Sequence, residues 1–134
     1  MKQAETINGR ELKEMLATAT GWLEKSASDI DALNVFPVPA GDTGTNMLLT
    51  MRSSLDEADQ TSDTSASEVA QAIAKGALMG ARGNSGVILS QIWRGLAQGL
   101  QDKRVFDGTD LAKAMQLASV TAYKGISNPV EGTI

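Results

Sequence analysis

The chain has 134 residues, close to the usual size of one domain, and is 42% hydrophobic but only 4% aromatic. Its core is therefore built from Ala, Leu, Ile, Val and Met, a palette that suits close-packed helices. A net charge of -4 with scattered Lys and Arg gives no basic stripe for nucleic acid, and the lack of cysteine and histidine excludes disulfides, thiolate metal sites and imidazole chemistry.

Met1 to Arg10 is polar and runs into an amphipathic stretch, which fits neither a signal peptide nor a membrane anchor; the expectation is a cytoplasmic protein with no transmembrane segment. From Asn8 to about Ile30, Leu12, Met15, Leu16, Ala19, Trp22 and Leu23 recur at steps of three and four, the inward face of a first helix. Two prolines and a glycine make Leu33–Asp42 a loop. After Gly44, Met47, Leu48, Met51 and Leu55 mark a second helix, which ends in the polar run Asp56–Ser67. Ser65 with Glu68 has the form of a capping box, and Val69, Ile73, Ala77 and Leu78 give a third helix ending near Gly80. A fourth follows with Val87, Ile88, Ile92, Leu96 and Leu100. Asp107-Gly108-Thr109 opens a fifth, with Leu111, Met115, Ala118 and Ala122 inward. Asn128, Pro129 and Glu131 fit the start of a sixth, which runs into the end of the sequence at Ile134. No strand-like alternation occurs, so the expected fold is all-α, in one domain over residues 1–134.

Two of these helix starts are rich in glycine. In Val35–Met47, VFPVPAGDTGTNM, an acidic residue, two glycines, two threonines and an asparagine stand immediately before a helix. Such residues suit Mg²⁺ and phosphate: a hard cation takes oxygen ligands and keeps waters, so one or two carboxylates plus substrate phosphates suffice. Asp42 is the carboxylate. Gly41 and Gly44 allow close approach, the amides of Thr43 to Asn46 are expected to donate to phosphate oxygens, and Thr43, Thr45 and Asn46 add side-chain donors. The same residue types also make ordinary helix caps. Gly80-Ala81-Arg82-Gly83-Asn84-Ser85-Gly86 repeats the pattern, so two helix starts could clamp one polyphosphate. Neither is a Walker motif, because no Lys follows the glycines as that motif requires. Arg82 could stabilise a transferring phosphoryl group or simply pair with a surface carboxylate. Lys75 and Lys124 read as solvated. Met47, Met51, Met79 and Met115 read as core, and Trp22 and Trp93 as core or interface.

The segments LNVFPVPAGDTGTNM at 33–47 and GARGNSGVILSQI at 80–92 closely resemble the N-terminal kinase domain of bacterial fatty acid kinases, within the dihydroxyacetone-kinase nucleotide-binding family; NPVEGTI at 128–134 resembles a third family segment. The resemblance implies a barrel of antiparallel amphipathic helices that holds ATP or ADP with Mg²⁺ at one end. The implied reaction transfers the ATP γ-phosphate to the carboxylate of a fatty acid presented by a separate fatty-acid-binding protein, giving an acyl phosphate. It marks Asp42 as metal-binding and catalytic alongside Arg82, and Thr43, Gly44, Thr45, Asn46, Gly83, Asn84, Ser85, Gly86 and Thr133 as nucleotide contacts. Asn34 lies upstream, where related kinases have another metal-binding carboxylate.

Two departures qualify the implication. Where the motif has a second aspartate this chain has Ala40, and a methyl group cannot coordinate a cation, so the expectation is weaker Mg²⁺ binding and impaired chemistry. A substitution made to disable turnover and natural divergence to a non-catalytic binder both account for Ala40. The resemblance implies a family domain that continues beyond Ile134, so the expectation is a barrel cut short here, its remaining helices truncated, lost to proteolysis or supplied by another chain, with exposed apolar faces that would favour a homo-oligomer. The alternatives from other classes are a nucleotide-sensing or scaffold module and a dihydroxyacetone kinase subunit.

Overall fold

The computed structural model describes residues 5–35 and 39–126, and the fold within them is all-α. Five helices follow one another: α1 (Gly9–Leu33), α2 (Thr43–Asp59), α3 (Ala66–Gly80), α4 (Gly83–Gly99) and α5 (Gly108–Lys124). Each packs on the next, α2 also meets α4 and α1 meets α3. Short connections make neighbours antiparallel, so the chain has two poles. One gathers the starts of α2 and α4 with the ends of α1, α3 and α5; the other gathers the reverse set. The proposed sixth helix at Asn128–Ile134 lies outside the described residues.

Local chemistry sets the helix starts. Asn8 and Glu11 form a capping box at α1, with the Glu11 amide donating to Asn8 Oδ1 at 2.8 Å and the Asn8 amide to Glu11 Oε1 at 3.0 Å. Asp107 and Asp110 do the same at α5, at 2.9 and 3.0 Å. Each cap stabilises by about 1 kcal/mol. The Asp110 carboxyl is held below its ordinary range, first by the Asp107 amide and further by Lys103 at 3.3 Å. The box expected at Ser65 and Glu68 does not form, because Ser65 makes no side-chain capping bond. Instead the loop between α4 and α5 caps α3: the amides of Ala66 and Ser67 donate to the carbonyls of Arg104 and Lys103, each at 2.9 Å, and Ser67 Oγ accepts from Asp102 at 3.0 Å. Asp102 takes φ 67° to make that turn. Beside it, Ile7 and Phe106 exchange two backbone hydrogen bonds at 2.8 and 3.0 Å, an isolated antiparallel bridge rather than a strand.

The core runs between these helices. Leu12 and Leu16 of α1, Met51 and Ala58 of α2, Val69, Ala70 and Ile73 of α3, Leu96, Ala97 and Leu100 of α4, Phe106, and Ala114 and Ala118 of α5 form one buried cluster. Trp93 packs against its edge.

Three expectations about facing are corrected. In α5 the inward residues are Ala114 and Ala118, while Leu111 and Met115 are exposed. The reason is the close α4–α5 approach: a methyl on Gly95 would lie 2.9 Å from the Ala118 nitrogen, and one on Gly99 2.6 Å from Ala114 Cα. Only small residues fit there, so the large ones turn outward. In α1 the buried line is Leu12, Leu16, Thr20 and Ala27, with Met15 and Trp22 outside it; Trp22 is 72% exposed. The buried line is the side of α1 that packs on α2 and α3, and Met15 and Trp22 lie off it. Leu78 and Met79, at the end of α3, and Val87 in the first turns of α4 are exposed as well. Lys75 is a solvated helix residue, 3.5 Å from Glu57.

Candidate functional site at paired helix starts

Both glycine-rich segments lie at one pole, where they touch. Gly83, first in α4, has φ +66°, and a Cβ on it would collide with the Asn46 side chain of α2. A Cβ on Gly86 would similarly collide with Thr50 Oγ1. The glycines therefore bring the first turn of α4 against the first turns of α2, a close approach open only to a residue without a side chain.

Thr50 joins the two. It is fully buried; its hydroxyl donates to the Asn46 carbonyl at 2.8 Å and accepts from the Arg82 amide at 3.2 Å. Thr50→Val keeps the shape but leaves the Arg82 amide without its acceptor. The expected loss is about 1–3 kcal/mol of stability by chemical denaturation, with Thr50→Ser retaining most of it.

The start of α2 is organised by the last turn of α1. Asn34 Oδ1 accepts from the amides of Asp42 at 2.9 Å and Thr43 at 3.2 Å. Asp31 accepts the Thr45 amide on Oδ1 at 3.0 Å and the Thr45 hydroxyl on Oδ2 at 2.6 Å. The Thr45 hydroxyl, then the Thr45 amide and the Gly44 amide, hold the Asp31 carboxyl below its ordinary range, while its limited burial opposes them. Because the folded value is the lower one, this pairing stabilises at neutral pH and is lost as the pH falls through that value. Close contact backs the arrangement: a methyl on Gly44 would overlap the Ala27 carbonyl and lie 2.9 Å from Ala27 Cα.

This corrects one expectation. The α2 amides are not free for phosphate: those of Asp42, Thr43 and Thr45 go to Asn34 and Asp31, and that of Asn46 bonds the Asp42 carbonyl within the helix. The start of α4 differs. Its N-cap, Arg82, makes no side-chain capping bond, and among the described residues the Gly83 and Asn84 amides meet no acceptor. Open donors thus lie on α4, while α2 offers side chains.

Asp42 is exposed, makes no side-chain cap to its own helix, and follows Gly41 at φ +69°, which turns the loop into the helix start. Ala40 is exposed two residues before it. Gly83, Asn84 and Arg82 are exposed, whereas Gly44, Ser85 and Gly86 are buried. Among the described residues the Arg82 guanidinium pairs with no carboxylate, leaving a cation at the edge of the site. Thr133 lies outside the described residues. Asn34 sits beside Asp42 with its oxygen committed to amides. Asp31 was not apparent from the pattern of the sequence; it lies in the last turn of α1, three residues before Asn34, which caps that helix at its C-terminal end.

These residues suit a phosphate group, with open amides and a cation on one side and hydroxyl and amide side chains on the other. For a metal the set is thin. Among the described residues no group of three or more carboxylates could hold an ion, so Asp42 could serve only a cation that brings its remaining oxygen ligands as phosphate and water.

Fold and site together define a helical module with its polar chemistry at adjoining helix starts. The chain belongs to the DAK2 domain family, which matches residues 37–134. DAK2 domains are dihydroxyacetone-kinase-like, nucleotide-binding and kinase-related. The chain is 48% identical to protein YloV of Bacillus subtilis (strain 168) over 129 residues, 96% of this chain and 23% of that protein. It is 44% identical over 128 residues, again 96% of this chain and 23% of the relative, to uncharacterized proteins of Staphylococcus haemolyticus and Staphylococcus aureus. The chain thus spans about a quarter of the length of these curated relatives. No helix among the described residues is long and apolar enough to cross a membrane.

Proposed function

We propose that this chain is the ATP-binding domain of a kinase that phosphorylates the carboxylate of a protein-bound fatty acid to an acyl phosphate. The observation that carries the reading is the contact of the two glycine-rich helix starts, Gly83 against Asn46, with uncapped amides and Arg82 on one side and Asp42 on the other. Support for the acceptor comes from the resemblance of residues 33–47 and 80–92 to fatty acid kinases.

In this reading the Gly83 and Asn84 amides bind the terminal phosphates of ATP or ADP, assisted by the partial positive charge of the α4 start. The hydroxyl of Thr43 and the amide of Asn46 complete the cradle, with Gly86 admitting the close packing beneath it. Arg82 faces the phosphoryl group as it acquires charge in transfer. Asp42 would hold Mg²⁺, which when bound neutralises phosphate charge and orients the γ-phosphate. The acceptor acid and its chain belong to the fatty-acid-binding partner. The site is expected to work in the cytoplasm, and the exposed apolar faces of α1 and α5 offer surfaces for a second copy or a further segment to cover.

A second reading has its own observation. Ala40, with no cluster of three carboxylates among the described residues, favours a nucleotide-binding module with little or no turnover. Both readings place nucleotide at the same pole.

Calorimetry of this chain with ATP and ADP, with and without Mg²⁺, tests the shared core of the proposal. Saturable heat that strengthens with Mg²⁺ is expected. No heat from a folded chain overturns it.

A further inference from the structure

We infer that Asp31 is a positioning residue for the phosphate cradle: from the last turn of α1 it grips Thr45 through both main chain and side chain and so sets the first turn of α2. The inference rests on the nucleotide-binding reading above and adds to it how the α2 half of the cradle is held.

The geometry is two-pronged. One carboxylate oxygen takes the Thr45 amide at 3.0 Å and the other its hydroxyl at 2.6 Å, so both the backbone and the χ1 rotamer of Thr45 are fixed. Three residues on, Asn34, the C-cap of α1, takes the amides of Asp42 and Thr43. Between them Asp31 and Asn34 occupy the donors of the α2 start that an anion would otherwise seek. A fixed carboxylate there also disfavours phosphate along the α2 axis and leaves the start of α4, with its open Gly83 and Asn84 amides, as the better seat. Thr45 is therefore a relay to Asp31, while Thr43 and Asn46 on either side keep their side chains for the nucleotide. Because Gly44 allows no adjustment against Ala27, the turn cannot slide to compensate for a lost grip.

The test is a double-mutant cycle read by calorimetry with MgATP on this chain, using Asp31→Ala, Thr45→Val, the combined variant and Thr45→Ser. Asp31→Ala and Thr45→Val should each weaken MgATP binding by roughly 3- to 30-fold, the range set by losing a helix-start cap. The combined variant should be no weaker than the worse single variant, since both remove one linkage. Thr45→Ser, which keeps the hydroxyl, should bind like the parent. In the nucleotide-free chain, hydrogen exchange at the Thr45 amide should accelerate in Asp31→Ala while the amides of Ile73 and Leu96 in the core stay protected, which separates lost positioning from general unfolding. Unchanged affinity in Asp31→Ala overturns the inference, as does tighter binding, which would mean that the carboxylate merely competes with phosphate. Fully additive losses in the combined variant overturn the relay through Thr45. Failure of the parent chain to bind MgATP is the distinct result that removes the nucleotide reading itself, and this inference with it.

Discussion

Gly44→Ala is expected to cost about 3 kcal/mol of stability and to abolish measurable nucleotide binding. The added methyl would overlap the Ala27 carbonyl and lie 2.9 Å from Ala27 Cα, and the three nearest atoms are all backbone, so no side chain can swing aside to relieve them. The strain can be relieved only by separating α1 from α2, and overpacking of this kind typically costs about 1–3 kcal/mol even where side chains can adjust. Separation also pulls Asp31 from Thr45 and Asn34 from Asp42 and Thr43, undoing the α2 start. Gly21→Ala is the matched control: it is another glycine in a helix, nothing lies within 4 Å of a methyl placed there, and the change should stabilise by about 0.5–1 kcal/mol. Thermal melts of both variants check the pair. A Gly44→Ala chain that melts with the parent and binds nucleotide equally well would show that the α1–α2 contact does not govern the site.

Ala40→Asp should raise Mg²⁺-dependent nucleotide affinity by at least about tenfold, since changes in the outer shell of metal sites alone move affinity about 10–100-fold and this one supplies a direct ligand. The new carboxylate would stand two residues from Asp42 across Gly41, whose positive φ of +69° bends the loop there. The sign of its effect on stability should depend on the cation. Without Mg²⁺, a further negative charge near Asp42 and Asp31 lowers the melting temperature slightly by repulsion. With Mg²⁺ and ATP, linkage raises it above that of the parent. If the proposed fatty acid kinase reading holds, the same substitution in a full-length context should support phosphoryl transfer to a protein-bound fatty acid. A folded Ala40→Asp chain whose nucleotide affinity ignores Mg²⁺ would remove the metal role from this loop.

Element order was readable from the sequence because five amphipathic stretches are separated by polar or glycine-rich breaks, and the structure places a helix at each. Facing was less readable. A periodic pattern marks the stripe with the largest apolar residues, yet helices that cross closely bury the smallest ones, and so Ala114 and Ala118 are inside while Leu111 and Met115 are not. Caps were misjudged for a related reason: Ser65 and Glu68 have the right spacing, but the α3 start is reached first by carbonyls from a loop distant in sequence, whereas Asn8–Glu11 and Asp107–Asp110 meet no such competitor. In the site, glycine spacing pointed to both helix starts. It could not show that α1 covers one and leaves the other open, because Asp31 and Asn34 sit in a different part of the pattern and reach Thr45 and Asp42 only through the fold.

Beside the side-chain caps of α1 and α5, the pole opposite the site has a loop secured in another manner. There the bridge of Ile7 to Phe106 and the caps on Ala66 and Ser67 from Arg104 and Lys103 are made by main chain to main chain. Such bonds prescribe the path of the chain and not the identity of its residues. Arg104 and Val105 are thus free to drift in sequence, so long as proline and a change in loop length are avoided, while the path of that loop persists. The site pole has no such freedom, since its holds are side chains of specific length and glycines with no substitute. Related sequences should accordingly keep Gly44, Gly83 and Gly86 at the site while Arg104 and Val105 of the opposite loop vary.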